Sequence, residues 1–270
     1  YMIDAATAVF ADCRELVLAG AKPPVAFFAY PGKPSRLAPD GCRISTLAAP
    51  DEDVDAALQA LADALDANGC EPAQRVDAAD RLPLPSGGEI TPAGIGQTLA
   101  ALLPENAVVI DEAVTTGRSF QSTLRQAAPH DWMTIMGGAI GCGLPLAVGA
   151  AVAAPDRKVV ALEGDGSAMY TLQALWTMAR ESLDVTVLVF ANRSYEILKG
   201  ELRGVGATIA GDRARSILSL DEPALDWVQL ARGQGVDATR ATDLSQLATA
   251  LQHGLASTGP YLIEVALRPS

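Results

Sequence analysis

Residues Lys158–Leu198 read KVVALEGDGSAMYTLQALWTMARESLDVTVLVFANRSYEIL. Lys158–Glu163 is a short apolar run with two valines, the pattern of a buried strand. Gly164-Asp165-Gly166-Ser167 ends it. Thr171–Ser182 then places Leu172, Leu175, Trp176 and Ala179 at i, i+3, i+4, i+7, which predicts an amphipathic helix with those four inward. Val185–Ala191 is a second, β-branched apolar run closed by Asn192. A strand–helix–strand unit makes the two strands parallel. The stretch therefore predicts an α/β fold, a parallel sheet with helices on both faces. Asp165 and Asn192 fall at carboxyl ends of strands, where open α/β sheets bind ligands.

A carboxylate and an amide oxygen at one sheet edge are hard ligands suited to Mg²⁺ or Ca²⁺, and Mg²⁺ completes its octahedron with phosphate oxygens and water. Gly164 and Gly166 allow a tight turn and close approach of N–H groups to a phosphate. A helix following Ser167 would point its positive end the same way. The residues thus predict a metal–diphosphate site. A plain turn with a solvated Asp is the alternative that Gly-Asp-Gly alone would favour, and Asn192 at the next strand end argues against it.

Gly-Asp-Gly followed by 25 residues and then Asn192 resembles the motif of thiamin diphosphate (ThDP)-dependent enzymes. The segment Gly164–Leu198 resembles the acetolactate synthase and benzoylformate decarboxylase branch, and the similarity runs from about Ile90 to Leu267. The family motif usually ends in Asn-Asn, where this chain has Ala191-Asn192; the second Asn is the family's metal ligand. The resemblance implies ThDP and Mg²⁺ as cofactors. It implies Asp165 and Asn192 as side-chain ligands of the metal and Ser194 as a ligand through its backbone carbonyl. It assigns Val114, Thr115, Gly138, Ile140, Gly164, Asp165, Gly166, Ser167, Asn192 and Tyr195 to the cofactor. Ile140 would be the bulky side chain beneath the bent cofactor, where Leu or Met is commoner, and Gly138 would offer its carbonyl to the aminopyrimidine.

The 270 residues suffice for one large domain or two, and 49% apolar residues supply a sizeable core. A net charge of −12 argues against nucleic acid or an anionic membrane as the main partner. No apolar run is long enough for a membrane span, and no signal peptide is visible. Cys13, Cys42, Cys70 and Cys142 lie far apart without a Cys-x-x-Cys pair, so they read as reduced, packed thiols of a cytoplasmic protein. His130 and His253 alone cannot build a His-rich metal site.

Toward the N-terminus, Asp4–Arg14 suggests a short helix and Glu15–Ala21 a strand running into a glycine turn. Val25–Tyr30 is a further apolar, aromatic run. Asp51 opens a helix with Val54, Leu58, Leu61 and Leu65 on one face and a stop at Asn68-Gly69. Residues 1–69 resemble part of the family's middle domain. Acetolactate synthases can hold FAD there, but no Gly-x-Gly-x-x-Gly fingerprint is present and no FAD site is assigned. Residues 70–88 have the composition of a linker, and 89–270 form the diphosphate-binding domain. Thr91-Pro92 starts a helix to about Leu103. Ala107–Ile110 is a strand, and the turn beyond it carries the candidate phosphate contacts Val114 and Thr115, which could equally be an ordinary cap. The glycine cluster Met136–Gly141 precedes an apolar helix, Leu144–Ala153, whose Leu144, Ala147 and Ala151 read as core. Trp132 and Trp227 read as core, Asp221–Arg232 and Asp243–Leu255 as helices, and Val236–Ala241 and Tyr261–Ala266 as strands.

The resemblance implies decarboxylation or carboligation of a small 2-oxo acid, with the cofactor's thiazolium carbon as nucleophile and its ring as electron sink. Glu196–Glu201 departs from the Gln-Trp-Gln type run of acetolactate synthases, which leaves a benzoylformate decarboxylase-type lyase as the alternative. Glu196 is a candidate acid–base group, whereas Glu201 reads as a solvated helix carboxylate. The family's activating glutamate lies in a separate pyrimidine-binding domain across a dimer interface, and no segment here resembles that domain. The chain accordingly reads as the C-terminal part of a longer enzyme, a homodimer or homotetramer. An alternative of another class is a cofactor-binding module without turnover of its own, and a weaker one is a nucleotide-binding α/β domain using Asp165.

Overall fold

The computed structural model describes residues 2–71, 81–207 and 211–268. The chain divides into two compact units, Tyr1–Arg75 with Gly204–Gly206, and Val76–Arg203 with Ala207–Ser270. Of the linker expected over 70–88, residues 72–80 lie outside the described residues, and 81–88 form no helix or strand.

The smaller unit contains α1 (Ile3–Phe10), β1 (Glu15–Ala19), β2 (Arg43–Ala48) and α2 (Val54–Ala64). β1 and β2 pair in parallel, with Glu15 opposite Arg43. The sequence pattern missed β2, because Arg43-Ile44-Ser45-Thr46 are all exposed and show no apolar alternation. Asp53 caps α2 by accepting from the Ala56 N–H at 2.9 Å. Contrary to expectation, α2 buries no residue fully, and Leu58, Leu61 and Leu65 are exposed. A two-stranded sheet is too narrow to cover the helix's apolar face. Val25–Tyr30 is not a strand either; it contributes only the single bridge Val25–Arg36.

The larger unit runs α3 (Pro92–Leu102), β3 (Val108–Glu112), α4 (Phe120–Thr123), β4 (Asp131–Thr134), α5 (Gly143–Ala153), β5 (Val159–Gly164), α6 (Asp165–Ala168), α7 (Ala174–Arg180), β6 (Val185–Ala191), α8 (Glu196–Gly204), α9 (Asp212–Leu218), α10 (Trp227–Gly233), β7 (Asp237–Ala241), α11 (Leu244–Ala256) and β8 (Tyr261–Ala266). Thr91 caps α3 by accepting from Gly94 N–H at 3.1 Å. Its six strands form one parallel sheet in the order β4-β3-β5-β6-β8-β7.

Alternation along the strands divides the core. Val109, Val160, Leu162, Leu188, Phe190, Ile263 and Val265 pack on one face with Ile95 and Leu99 of α3 and Leu244, Leu247 and Leu251 of α11. Val108, Ile110, Val159, Ala161, Val187, Val189 and Leu262 pack on the other with Leu144 of α5, Leu175 of α7 and Trp227 of α10. Every residue of β6 is buried, as a central parallel strand covered on both faces requires.

Two expectations change. α7 starts at Ala174 and turns Ala174, Leu175 and Met178 inward, while Trp176 is 51% exposed with the Arg180 guanidinium over its ring. α10 starts only at Trp227, after Pro223, and is capped by Asp226, which accepts from Gln229 N–H at 3.0 Å. Trp132, on the short edge strand β4, is half-buried and packs against the first of these cores as expected, and its indole N–H has no hydrogen-bond partner among the described residues.

Candidate functional site

The chain passes from β3 outward to β4 and then back across β3 to β5, so strand order reverses between β3 and β5. That switch point opens a crevice at the strand carboxyl ends. A cleft lies there. Val114, Thr115, Ile140, Gly164, Asp165, Gly166, Ser167, Asn192, Ser194 and Tyr195 all line it. Of the residues expected at the site, Gly138 alone is not in the lining; it is exposed in the glycine loop at φ 66°.

Each turn is shaped by its own residues. Asp111 Oδ1 accepts from Ala113 N–H at 3.0 Å, closing the turn after β3 and leading into Val114 at φ 47°. A β-branched residue at positive φ is strained, and such strain concentrates at functional sites. Asp165 is not in a loop before a helix, as expected, but is the first residue of α6 itself. Its Oδ1 accepts from Gly166 N–H at 2.9 Å, and its Oδ2 from Arg193 N–H at 2.6 Å. The second bond joins the ends of β5 and β6 and holds Arg193 at φ 57°. Asn192 Oδ1 accepts from Ser194 N–H at 2.9 Å. A Cβ at Gly166 would lie 2.5 Å from the Tyr195 ring, so this glycine gives the ring its place.

Burial, only partly offset by the Arg193 and Gly166 N–H bonds, pushes the Asp165 carboxyl up to about 6. A buried carboxylate without a cation is costly, and a bound cation would reverse the shift. No Lys, Arg or His is among the residues lining the cleft. An anionic ligand there needs a cation brought with it. Among the described residues no group of three His, Cys, Asp or Glu could hold a metal. The available donors are instead one carboxylate, the Asn192 amide oxygen and backbone carbonyls, with phosphate and water to complete a Mg²⁺ shell. Ile140, Phe190 and Ile197 give the same cleft an apolar wall. Apolar rings with an anionic, metal-bound tail fit this lining.

Sequence reading missed Glu112. Its carboxylate, buried at the end of β3, accepts from the Gly141 and Gly143 N–H groups and thereby shapes the loop that carries Ile140. Glu163 lies against it, buried, and among the described residues no N–H or hydroxyl reaches its carboxyl. Burial first, and then the Glu112 and Asp111 charges, hold Glu163 well above the usual carboxylate range. A carboxylate in an otherwise apolar strand was the available signal. Phe190, Glu196 and Ile197 also line the cleft, and Glu196 pairs with Lys199 and Arg203.

Residues 114–265 match the family described as thiamine pyrophosphate enzyme, C-terminal TPP binding domain. The chain is 47% identical over 268 residues to "Putative acetolactate synthase large subunit IlvX" of Mycobacterium tuberculosis, covering 99% of this chain and 51% of that protein. It is 35% identical over 179 residues to the benzoylformate decarboxylase of Pseudomonas aeruginosa, covering 66% of this chain and 33% of that one. The solved structure of the thiamine diphosphate-dependent 4-hydroxybenzoylformate decarboxylase of Rhodococcus jostii RHA1 superposes with a TM-score of 0.69 at 26% identity, over 95% of this chain and 49% of that one. The chain thus spans about half the length of the relative it matches end to end. Strand order, cleft and similarity agree: the chain belongs to the thiamine pyrophosphate-dependent enzyme family, in the branch of the acetolactate synthases and benzoylformate decarboxylases.

Proposed function

We propose that this chain supplies the diphosphate- and Mg²⁺-binding half of a ThDP-dependent 2-oxo acid decarboxylase or carboligase. The observation that carries the proposal is the cleft between β3, β5 and β6, where Asp165 and Asn192 offer hard oxygen donors and no cationic side chain lines the wall. Asp165, Asn192 and Ser194 would hold the metal, the turn at Val114–Thr115 the diphosphate, and Ile140 and Tyr195 the rings. When bound, ThDP supplies a carbon nucleophile and an electron sink for cleaving the bond beside a 2-oxo group. The protein's own part is to orient that group and to exclude water with Ile140, Phe190 and Ile197. Glu196, half-buried in the lining, would exchange a proton there.

We assign residues 1–69 to part of a middle domain without FAD and 89–270 to the diphosphate-binding domain. The activating glutamate is assigned to a part of the full-length enzyme outside these 270 residues, so this stretch alone has no turnover. A cytoplasmic homodimer or homotetramer completes the proposal; exposed Leu58, Leu61 and Leu65 support an oligomer or a further domain. The test is CO₂ release by the full-length protein from a panel of small 2-oxo acids, with ThDP and Mg²⁺ added or withheld. The proposal requires turnover that depends on both and is lost in Asp165→Ala. Turnover indifferent to ThDP, or binding of nucleotide in its place, would overturn it.

A further inference from the structure

The four cysteines are free, and the sequence separates them widely. The fold does not keep two of them apart. Cys13 immediately precedes Arg14, whose carbonyl accepts from the Arg43 N–H at 2.9 Å, and Cys42 immediately precedes Arg43. The parallel register of β1 and β2 begins one residue later, at Glu15 opposite Arg43. Pairing therefore brings Cys13 and Cys42, 29 positions apart, to the same edge of the two-stranded sheet, with their sulfurs 3.7 Å apart. Both are half-buried. Cys13 Sγ also lies 3.2 Å from the Glu15 carbonyl, and the Arg43–Glu15 ion pair closes over the neighbouring strand positions.

We propose that Cys13 and Cys42 form a reversible disulfide, a modification site that closes residues 14–41 into a covalent loop at the start of the β1–β2 pair. A sulfur separation of 3.7 Å is within about 2 Å of a bonded pair, so side-chain rotation with little backbone movement can close it. The oxidant is a small-molecule disulfide such as glutathione disulfide. One cysteine thiolate attacks a glutathione sulfur, forming a mixed disulfide and releasing one glutathione. The second cysteine's thiolate attacks the protein sulfur of that mixed disulfide and releases the other glutathione. Both protein protons and the electron pair end on the two glutathione thiols, and the protein loses two hydrogen atoms. The neighbouring sulfur makes the second step intramolecular, so closure outruns accumulation of the glutathione adduct. In a reducing compartment the pair rests as two thiols. Partial burial, with Cys13 and Glu15 beside it, raises the Cys42 thiol above its ordinary value, in keeping with that resting form.

The test equilibrates the full-length protein across a series of reduced-to-oxidised glutathione ratios, alkylates free thiols and maps peptides without reduction. The expected result is one cross-linked species joining Cys13 to Cys42, reversed by dithiothreitol, with Cys70 and Cys142 still alkylated. Trypsin cleavage at Arg36 then leaves fragments that separate only after reduction. Cys13→Ser and Cys42→Ser should each abolish the cross-link. Glutathione adducts on Cys13 or Cys42 without a cross-link at the most oxidising ratio would overturn the proposal. So would cross-links that pair either residue with Cys70 or Cys142 instead.

Discussion

Replacing Asp111 by Asn should remove a pH-dependent loss of stability without disturbing the turn that Asp111 builds. Its Oδ1 accepts from Ala113 N–H at 3.0 Å, and an Asn carbonyl oxygen can accept the same bond. What the substitution removes is a proton equilibrium. Burial, assisted by the Glu112 charge and opposed by the Ala113 bond, pushes the Asp111 carboxyl from 3.8 up to about 6. The folded chain therefore binds more proton than the unfolded chain between those values. Stability from this group is fully present below pH 3.8 and is lost as pH rises through 6. Between pH 5 and pH 8 the loss amounts to about 1–2 kcal/mol. Asp111→Asn should gain that much on the wild type over the same interval, and the lost charge should also lower Glu163, which Asp111 helps to raise. The assay is urea unfolding of both proteins at pH 5 and pH 8, followed by tryptophan fluorescence. Trp132, Trp176 and Trp227 all lie in the larger unit, so the signal reports that unit. A wild-type minus variant difference that is the same at both pH values would refute the reasoning.

Three further substitutions test other parts of the account. Gly166→Ala puts a Cβ 2.5 Å from the Tyr195 ring; overpacking should cost about 1–3 kcal/mol in thermal unfolding, and ThDP affinity should fall with displacement of the ring. Glu112→Ala strands the buried Gly141 and Gly143 N–H groups, at about 1–3 kcal/mol each, partly offset by relief of Glu163; hydrogen exchange at Gly141 and Gly143 should rise. Lys158→Ala removes a buried ammonium that pairs with Asp184 and donates to the Gly254 and Ser257 carbonyls at 3.1 and 2.9 Å. It should cost roughly 2–3 kcal/mol in chemical unfolding.

The larger unit was legible because its signals are local. β6 and β8 match their apolar runs end to end, and α11 turns inward the three leucines its period selects. Asp165 and Asn192 could be placed at strand ends because a strand–helix–strand unit has one parallel solution. The failures lie where neighbours decide. β2 is exposed along most of its length and β4 is a four-residue edge, so neither carries an apolar pattern. Trp176 fits the inward stripe by spacing, but α7 starts three residues later than Thr171, and Met178 takes the buried position. Glu112 and Glu163 were invisible as a pair because their meeting depends on β3 lying beside β5, a property of strand order. The approach of Cys13 to Cys42 depends likewise on β1–β2 pairing.

The central claim is that Asp165 and Asn192 hold a metal-bound diphosphate. Calorimetric titration of ThDP into the full-length protein tests it most directly, with and without Mg²⁺ and alongside Asp165→Ala. The account predicts saturable binding that requires Mg²⁺ and disappears in the folded variant. ThDP binding of equal strength without Mg²⁺, or unchanged by Asp165→Ala, would contradict it.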